Sequence, residues 1–466
     1  MVVNTSRSRT YDQQQYKTNS SLARTRSPQQ KSRLQFRSAI MANMDQSQPF
    51  DGIRVVEFGQ YVSVPFCAQL LAEGGAEVIK VEQLTGDPTR MLRQISPLVT
   101  RTFLSRNRGK RSLPLALRDP SARPVIERLL AWADVVLMNF RPGLDLELGL
   151  DPSTLEERYP RLIAASVTAF GNEGPEATHV GMDTVVQARA GYMAANGRMV
   201  DGRPAPGEPV SVDYMCAMSL AFGVTSALLR RERTGLGGRV DTSLMQAAMT
   251  LANNQLIRSE EEDAPLHDEI LQRLTTQRAA NKSFAEQART MSSARALPMV
   301  RVYLRTYDTA DAPIAIACGS RTLRTKFLSV VGVEDSHLDS PDSEAQSVYY
   351  ENLSAKVESV MLTRTAADWI VAFNDVGVPV AQVRFPIELF KDEQASANGM
   401  FHRLHHPDAG DFTVLSPPVR MNGEGFRSRS APRKFATETR EILRELSFEE
   451  SEIDDLVDAK ITHVEE

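Results

Sequence analysis

From about residue 50 onward, short apolar runs alternate with segments of helical spacing. Residues 53–58 (IRVVEF) form a nearly continuous apolar run, the pattern of a strand buried on both faces. Residues 65–74 follow with a helical pattern, and Pro65 suits a first helical turn, where its missing N–H costs nothing. Residues 76–82 (AEVIKVE) predict the next strand. A strand–helix–strand this compact implies a parallel pair with a right-handed crossover. The alternation continues with a strand over 112–117, a helix opened by Asp119-Pro120 and running to Ala133, a strand over 135–138, a helix over 152–159 and a strand over 162–167. Strands alternating with helices specify an α/β, doubly wound sheet.

Beyond this unit, 184–195 and 214–232 predict helices. Residues 259–296 are polar and charged, opening on SEEED at 259–263, and read as a linker or mobile lid. Residues 297–390 mix a strand (313–317) with helices (355–362, 366–376). The expected organisation is a tail or targeting segment at 1–48, a large domain at 49–250, a linker or lid at 251–296, a small domain at 297–390, and a segment at 391–466 returning to the large domain. No repeat of solenoid period is present. The longest apolar stretch, 215–229, is interrupted by Ser219, Thr225 and Ser226 and falls short of the ~20 residues that span a bilayer, so it reads as a core helix.

Apolar residues make up 42% of the 466 and charged residues 24%, enough for a sizeable core. The 54 basic and 59 acidic residues give a net charge of −5, which argues against a nucleic-acid partner. Residues 1–48 depart from this balance: eight basic residues against two acidic ones, among Ser, Gln and Thr, with no apolar period. That is the composition of a disordered tail, an over-long start or a mitochondrial transit peptide, so the expected compartment is the cytoplasm, or the mitochondrion if the last holds. Three dispersed cysteines (Cys67, Cys216, Cys318) fit a reducing compartment.

The turn after the first strand, Phe58-Gly-Gln-Tyr-Val-Ser-Val-Pro65, lacks the GxGxxG of dinucleotide sites, and no P-loop, HExxH or GxSxG occurs. Gly235-Leu-Gly-Gly238 reads as a helix C-terminus and turn. His402-x-x-His405-His406, closed at once by Pro407, reads as a solvated loop, and no metal site is expected. The cationic stretch 106–111, with Arg90 and the Asn139-Phe140-Arg141 segment after the strand at 135–138, suits either a polyphosphate or a solvated charge run.

These segments resemble the class III CoA-transferase family, which includes the α-methylacyl-CoA racemases. The resemblance lies in DGIRVVEFGQYVSVPFCAQLLAEGGAEVIKVE (51–82), GDPTR (86–90), NRGKRSL (107–113), NFRPGLDLELGL (139–150), RLIAASVTAFGNEGP (161–175), the stretch from SVDYMC to MQAA (211–248) and FKDEQASANGMF (390–401). It implies a Rossmann-like large domain with a smaller α/β domain, two chains interlocked as a homodimer, and a coenzyme A thioester as substrate with no tightly bound cofactor. The partners it implies are an acyl-CoA and a carboxylic acid acceptor; no membrane partner is expected, from the shortness of the apolar stretch at 215–229.

The family's nucleophilic aspartate matches Asp213, in Ser-Val-Asp-Tyr just before an apolar helical run. The residues alone leave Asp213 an N-cap or a nucleophile. The CoA contacts implied are Arg90, Asn107, Arg108, Lys110, Asn139, Phe140 and Arg141, with Gln60, Met182 and Asp183 in the substrate pocket. Asp183 also reads as an N-cap for the helix at 184–195. The racemases carry histidine where this chain has Met182; His179, three positions away, is expected to face elsewhere. A racemase or epimerase, the family's other branch, is the first alternative to a transferase; Gln83 and Glu147, which stand where many relatives are basic, suggest the second, a catalytically degenerate CoA-binding relative.

Overall fold

Six parallel strands form the central sheet: β1 Arg54–Phe58, β2 Glu77–Glu82, β3 Lys110–Pro114, β4 Val135–Met138, β5 Ile163–Thr168 and β6 Gly238–Ser243. The structure is a computed structural model and describes residues 48–207, 209–291, 297–339, 346–421, 426–428 and 430–465. The readings of the N-terminal segment up to residue 47 lie outside the described residues. Phe50–Glu466 form one compact unit.

The strands lie in the order β6-β5-β4-β1-β2-β3, with Val55 of β1 in register with Val78 of β2 on one side and Val135 of β4 on the other. The chain thus steps outward from β1 to β3 and returns to β1's other side at β4. A crevice opens where the order reverses, at the carboxyl ends of β1 and β4, which is where open α/β sheets bind ligands.

Helices α1 Ser63–Glu73, α2 Arg123–Trp132, α3 Asp183–Arg189, α4 Ser211–Thr234, α5 Leu244–Leu251, α6 Thr439–Glu445 and α7 Glu450–Asp458 include those that cover the sheet. The strands' period of two assigns the faces. Val56, Ile79, Val136 and Met138 point into one core with Val125, Ile126 and Leu129 of α2, Ile442 and Leu443 of α6, and Ile453 of α7. Val55, Val78, Val135, Leu137, Ile163 and Ala165 point into the other, with Cys67 and Leu71 of α1, Val212, Cys216, Leu220 and Val224 of α4, and Ala247 of α5. A third cluster, around Tyr303, Phe327, Trp369 and Phe373, packs against an antiparallel sheet of Leu304–Tyr307, Ile314–Ala317 and Val380–Gln382.

Several elements differ from expectation. The helix expected over 184–195 breaks into Asp183–Arg189 and Tyr192–Ala195 because Gly191, at φ 79°, takes the left-handed conformation between them. The apolar helix α4 is 24 residues, long and apolar enough by composition to cross a membrane, which corrects the shorter reading. It buries Val212, Cys216, Leu220, Val224 and Leu228 against the sheet and exposes Met218, Phe222 and Leu229. The expected linker holds the helices Asp263–Ala279 and Phe284–Thr290, the first of which buries Ile270 and exposes Leu266 and Leu271. The histidine loop is a hairpin, Phe401–His406 with Gly410–Leu415, in which His405 pairs with Asp411 at 2.8 Å and His406 is buried.

Candidate active site

The crevice at the carboxyl edge of the sheet is a cleft of about 750 Å³. Its walls are the loops that follow β1, β2, β3, β4 and β5, together with Asp213 from the first turn of α4. The loop after β1 is held by Asn139, just past β4: its amide oxygen accepts from the Gln60 N–H at 3.0 Å and its amide nitrogen donates to the Gln60 carbonyl at 2.9 Å. That reciprocal pair stitches the two strand ends together at the reversal point. In the same loop Tyr61 sits at φ 67°, a left-handed conformation that a side chain of this size rarely adopts. Phe140 packs on Phe58, their ring centroids 5.7 Å apart.

Asp213 occupies the third position of α4. It is not the N-cap: that position is Val210, at φ 37°, whose side chain makes no capping hydrogen bond. Helix start and nucleophile candidate are instead fixed by a neighbouring carboxylate. Asp183, at the first position of α3, accepts the Asp213 N–H at 3.0 Å through one oxygen and the Gln187 amide at 2.5 Å through the other. Gln187 is fully buried and locked in turn to Gly207, accepting its N–H at 2.8 Å and donating to its carbonyl at 3.1 Å. Asp183 thus caps α4 and not its own helix. The Asp213 carboxylate accepts a short hydrogen bond from the Ser63 hydroxyl at the start of α1.

Burial pushes the Asp213 carboxyl up, and the charge of Asp183 adds to it; the Ser63 hydrogen bond and the Arg106 guanidinium oppose, leaving it at about 6. A carboxylate of that basicity is still largely ionised at neutral pH. It is therefore a stronger nucleophile or base than an ordinary aspartate.

Of the expected site residues, Asp213, Gln60, Met182, Asp183, Asn139, Phe140 and Arg141 meet in this cleft. Arg90, Asn107, Arg108 and Lys110, expected to hold CoA, do not line it. Each is buried and already partnered. Arg90 forks onto Glu82 with both nitrogens at 2.8 Å. Arg108 pairs with Glu73 at 2.8 Å. The Lys110 ammonium meets Glu57 at 2.7 Å, the Pro65 carbonyl at 2.7 Å and Asn107 at 2.9 Å. Desolvating four such groups is tolerable only because their charges and donors are satisfied inside the fold. A run of cations in sequence carries no sign of which will meet a buried carboxylate.

The cleft's cations are Arg141, exposed and without an ion pair among the described residues, and Arg118, which shares its charge with Glu147 at 3.6 Å. Gln83 lines the same wall. His179 also lines the cleft, against the expectation that it faces elsewhere. Ser63, Gln187 and Arg118 were not legible as site residues. Gln187 had one signal, its i, i+4 spacing from Asp183 on a predicted helix; Ser63 had none.

Residues 50–434 match the family model of CoA-transferase family III. The chain belongs to this family. It is an enzyme of the CoA-transferase class. It is 28% identical over 423 residues to a cinnamoyl-CoA:phenyllactate CoA-transferase of Clostridium sporogenes, covering 87% of this chain and 95% of that one. It is 30% identical over 383 residues to an acetyl-CoA:oxalate CoA-transferase of Acetobacter aceti, covering 80% and 90% respectively. Among solved structures it resembles that of Rv3272 from Mycobacterium tuberculosis, with a TM-score of 0.67, 29% identity, and coverage of 84% of this chain and 99% of that one.

Proposed function

We propose that this enzyme moves CoA from an acyl-CoA to a free carboxylic acid through covalent intermediates on Asp213. The observation that carries the reading is Asp213 itself: a carboxylate raised to about 6, at the end of the cleft, in the Ser-Val-Asp-Tyr segment that resembles the family's nucleophile. Its carboxylate attacks the thioester carbonyl, forming a mixed anhydride and releasing CoA thiolate. The thiolate attacks the aspartyl carbon and expels the first acid, leaving an aspartyl-CoA thioester. The acceptor carboxylate then runs the sequence in reverse. Thioester energy is retained at every stage, so no nucleotide is consumed. Arg141 and Arg118, at the loops around the cleft, are the cations suited to CoA phosphates.

Asp213→Asn preserves size and hydrogen-bonding groups, so the fold should survive while CoA transfer drops by about 1,000-fold or more. Hydroxylamine added during turnover should modify Asp213 in the wild type and leave the variant untouched; transfer at near wild-type rate by the variant defeats the reading. A racemase is the second reading, favoured by His179 on the cleft wall. It predicts deuterium exchange at the substrate α-carbon without CoA transfer. The Arg118–Glu147 pair at the cleft keeps the degenerate CoA-binding relative in view; it predicts neither reaction. The reading extends to a Rossmann-like domain at 49–250, a small domain at 297–390, a homodimer in the cytoplasm or mitochondrion, and an acyl-CoA and acid as partners. The exposed apolar face of α4, with Phe222 77% exposed, supports a second copy; sedimentation showing a monomer rejects it.

A further inference from the structure

Ser63 lies inside the 51–82 segment that carries the family resemblance but is not among the site residues that resemblance implies, and its place beside the nucleophile has a specific chemical meaning. It is the first residue of α1, 3% exposed, with its backbone fixed by the helix and its hydroxyl donated to Oδ1 of Asp213. Among the described residues it is the hydrogen-bond donor to that carboxylate. The Asp213 N–H is taken by Asp183, and the Arg106 guanidinium reaches the Tyr214 hydroxyl at 3.3 Å.

We propose that Ser63 is a catalytic residue of the transfer, donating to the oxyanion that forms on Asp213's own carboxyl oxygen. The proposal rests on the covalent reading above. With Oδ1 held by Ser63, Oδ2 is the oxygen left to attack the thioester, and it becomes the bridging atom of the anhydride. When CoA thiolate then attacks Cγ, the carbon–sulfur bond forms and the Cγ=Oδ1 pair moves onto Oδ1, which becomes the oxyanion. Collapse restores the carbonyl, breaks the Cγ–Oδ2 bond and releases the first acid with both electrons and Oδ2. Attack of the acceptor carboxylate on the aspartyl-CoA thioester passes through the same oxyanion and expels the thiolate. In both steps the charge appears where a donor already points, the arrangement that stabilises such intermediates most. In the first and last steps the oxyanion forms on the substrate's acyl oxygen, outside the Ser63 contact. Ser63 therefore serves the two inner steps and not the two outer ones.

The test is rapid acid quench of the full chain mixed with acetyl-CoA, succinyl-CoA or cinnamoyl-CoA and no acceptor, with the adduct weighed and mapped by mass spectrometry. Wild type is expected to pass to a CoA adduct on Asp213 with release of free acid. Ser63→Ala is expected to hold the acyl adduct and form the CoA adduct more slowly by on the order of 100-fold or more. Persistence of the acyl adduct itself proves the variant folded, and Ser63→Thr, which keeps the hydroxyl, should restore the second step. If Ser63→Ala forms the CoA adduct as fast as wild type, loses both adducts with unchanged melting, or if the acyl group maps to Ser63, the proposal is overturned while covalent catalysis stands. If wild type gives no adduct on Asp213 with any of the three thioesters, the covalent reading falls and takes this proposal with it. Should Ser63→Ala not fold, Ser63→Cys, nearly the same size with a weaker donor, carries the same comparison.

Discussion

Asp213 is held between opposing influences: burial and the Asp183 charge against the Ser63 hydroxyl and the Arg106 guanidinium. Because its folded pKa of about 6 lies above the 3.8 of an ordinary aspartate, the folded state binds this proton more tightly than the unfolded chain. Its contribution to stability is full below about 3.8 and is lost as pH rises through about 6. The ionised nucleophile is thus a cost to the fold at neutral pH. Two outcomes follow. The acid limb of kcat/KM should fall near pH 6, and Asp183→Asn, which keeps an acceptor for the Asp213 N–H but removes the charge, should move that limb to lower pH. A limb that stays in place shows that the Asp183 charge is not felt. Asp213→Asn should melt above wild type at about pH 8, the gap narrowing toward about pH 4. The cations separate just as sharply. Lys110→Ala strips Glu57 of one of its two buried partners and should cost about 3–5 kcal/mol in a urea titration. Arg141→Ala should leave stability alone and weaken acyl-CoA binding about tenfold, the charge-assisted range, most visibly at low salt; the reverse pattern puts the CoA phosphates at Lys110.

At the scale of elements, β6 depends on one small residue. Gly237 donates to the Pro160 carbonyl at 2.9 Å, and a Cβ there would lie 2.1 Å from the Leu162 carbonyl oxygen and 2.6 Å from Arg161 backbone atoms. Gly237→Ala should push β6 off β5 and destabilise by about 1–3 kcal/mol or more; thermal melting at wild-type temperature argues that the junction gives way cheaply. The same residue explains why the sixth strand was illegible. Gly235 does end α4, at φ 76° as its sequence suggests, but Gly-rich chain beyond it reads as turn, and Gly238–Ser243 (GRVDTS) lacks the apolar run that marks β1, β2 and β4. The first five strands could be read because β1, β2, β4 and β5 carry the apolar runs of buried strands, VV, VI, VVLM and IAASV, and β3 follows them in the same strand–helix alternation. β3 still slid, from 112–117 to Lys110–Pro114, because Lys110 is a buried ion-pair partner inside the strand and looks like loop. The cleft was legible at Asp213 and the Asn139–Arg141 segment through resemblance and through the carboxyl-edge rule. Ser63 and Gln187 act by contacts across 150 and 20 residues of chain, which local pattern does not report.

At the scale of the whole molecule, the cleft lies on one end of the sheet while a sealed group of charges runs through β1, β2, β3 and the loop after β2. Three carboxylates (Glu57, Glu82, Asp87) face three cations (Lys80, Arg90, Lys110), each at least nine-tenths buried, and their charges cancel. Each member is shared: Lys80 meets both Glu57 and Asp87, and Glu82 accepts Ser112 as well as Arg90. Removing any one strands a charge without water, whereas replacing matched partners together removes the debt on both sides. The group therefore behaves as a single heritable unit. A lineage drifting one substitution at a time meets a barrier at every step, and the way across is a paired change that keeps the group neutral. Libraries that randomise these positions singly should return mostly unfolded chains, and those that vary Glu57 with Lys110 should recover folded ones in which neither charge survives.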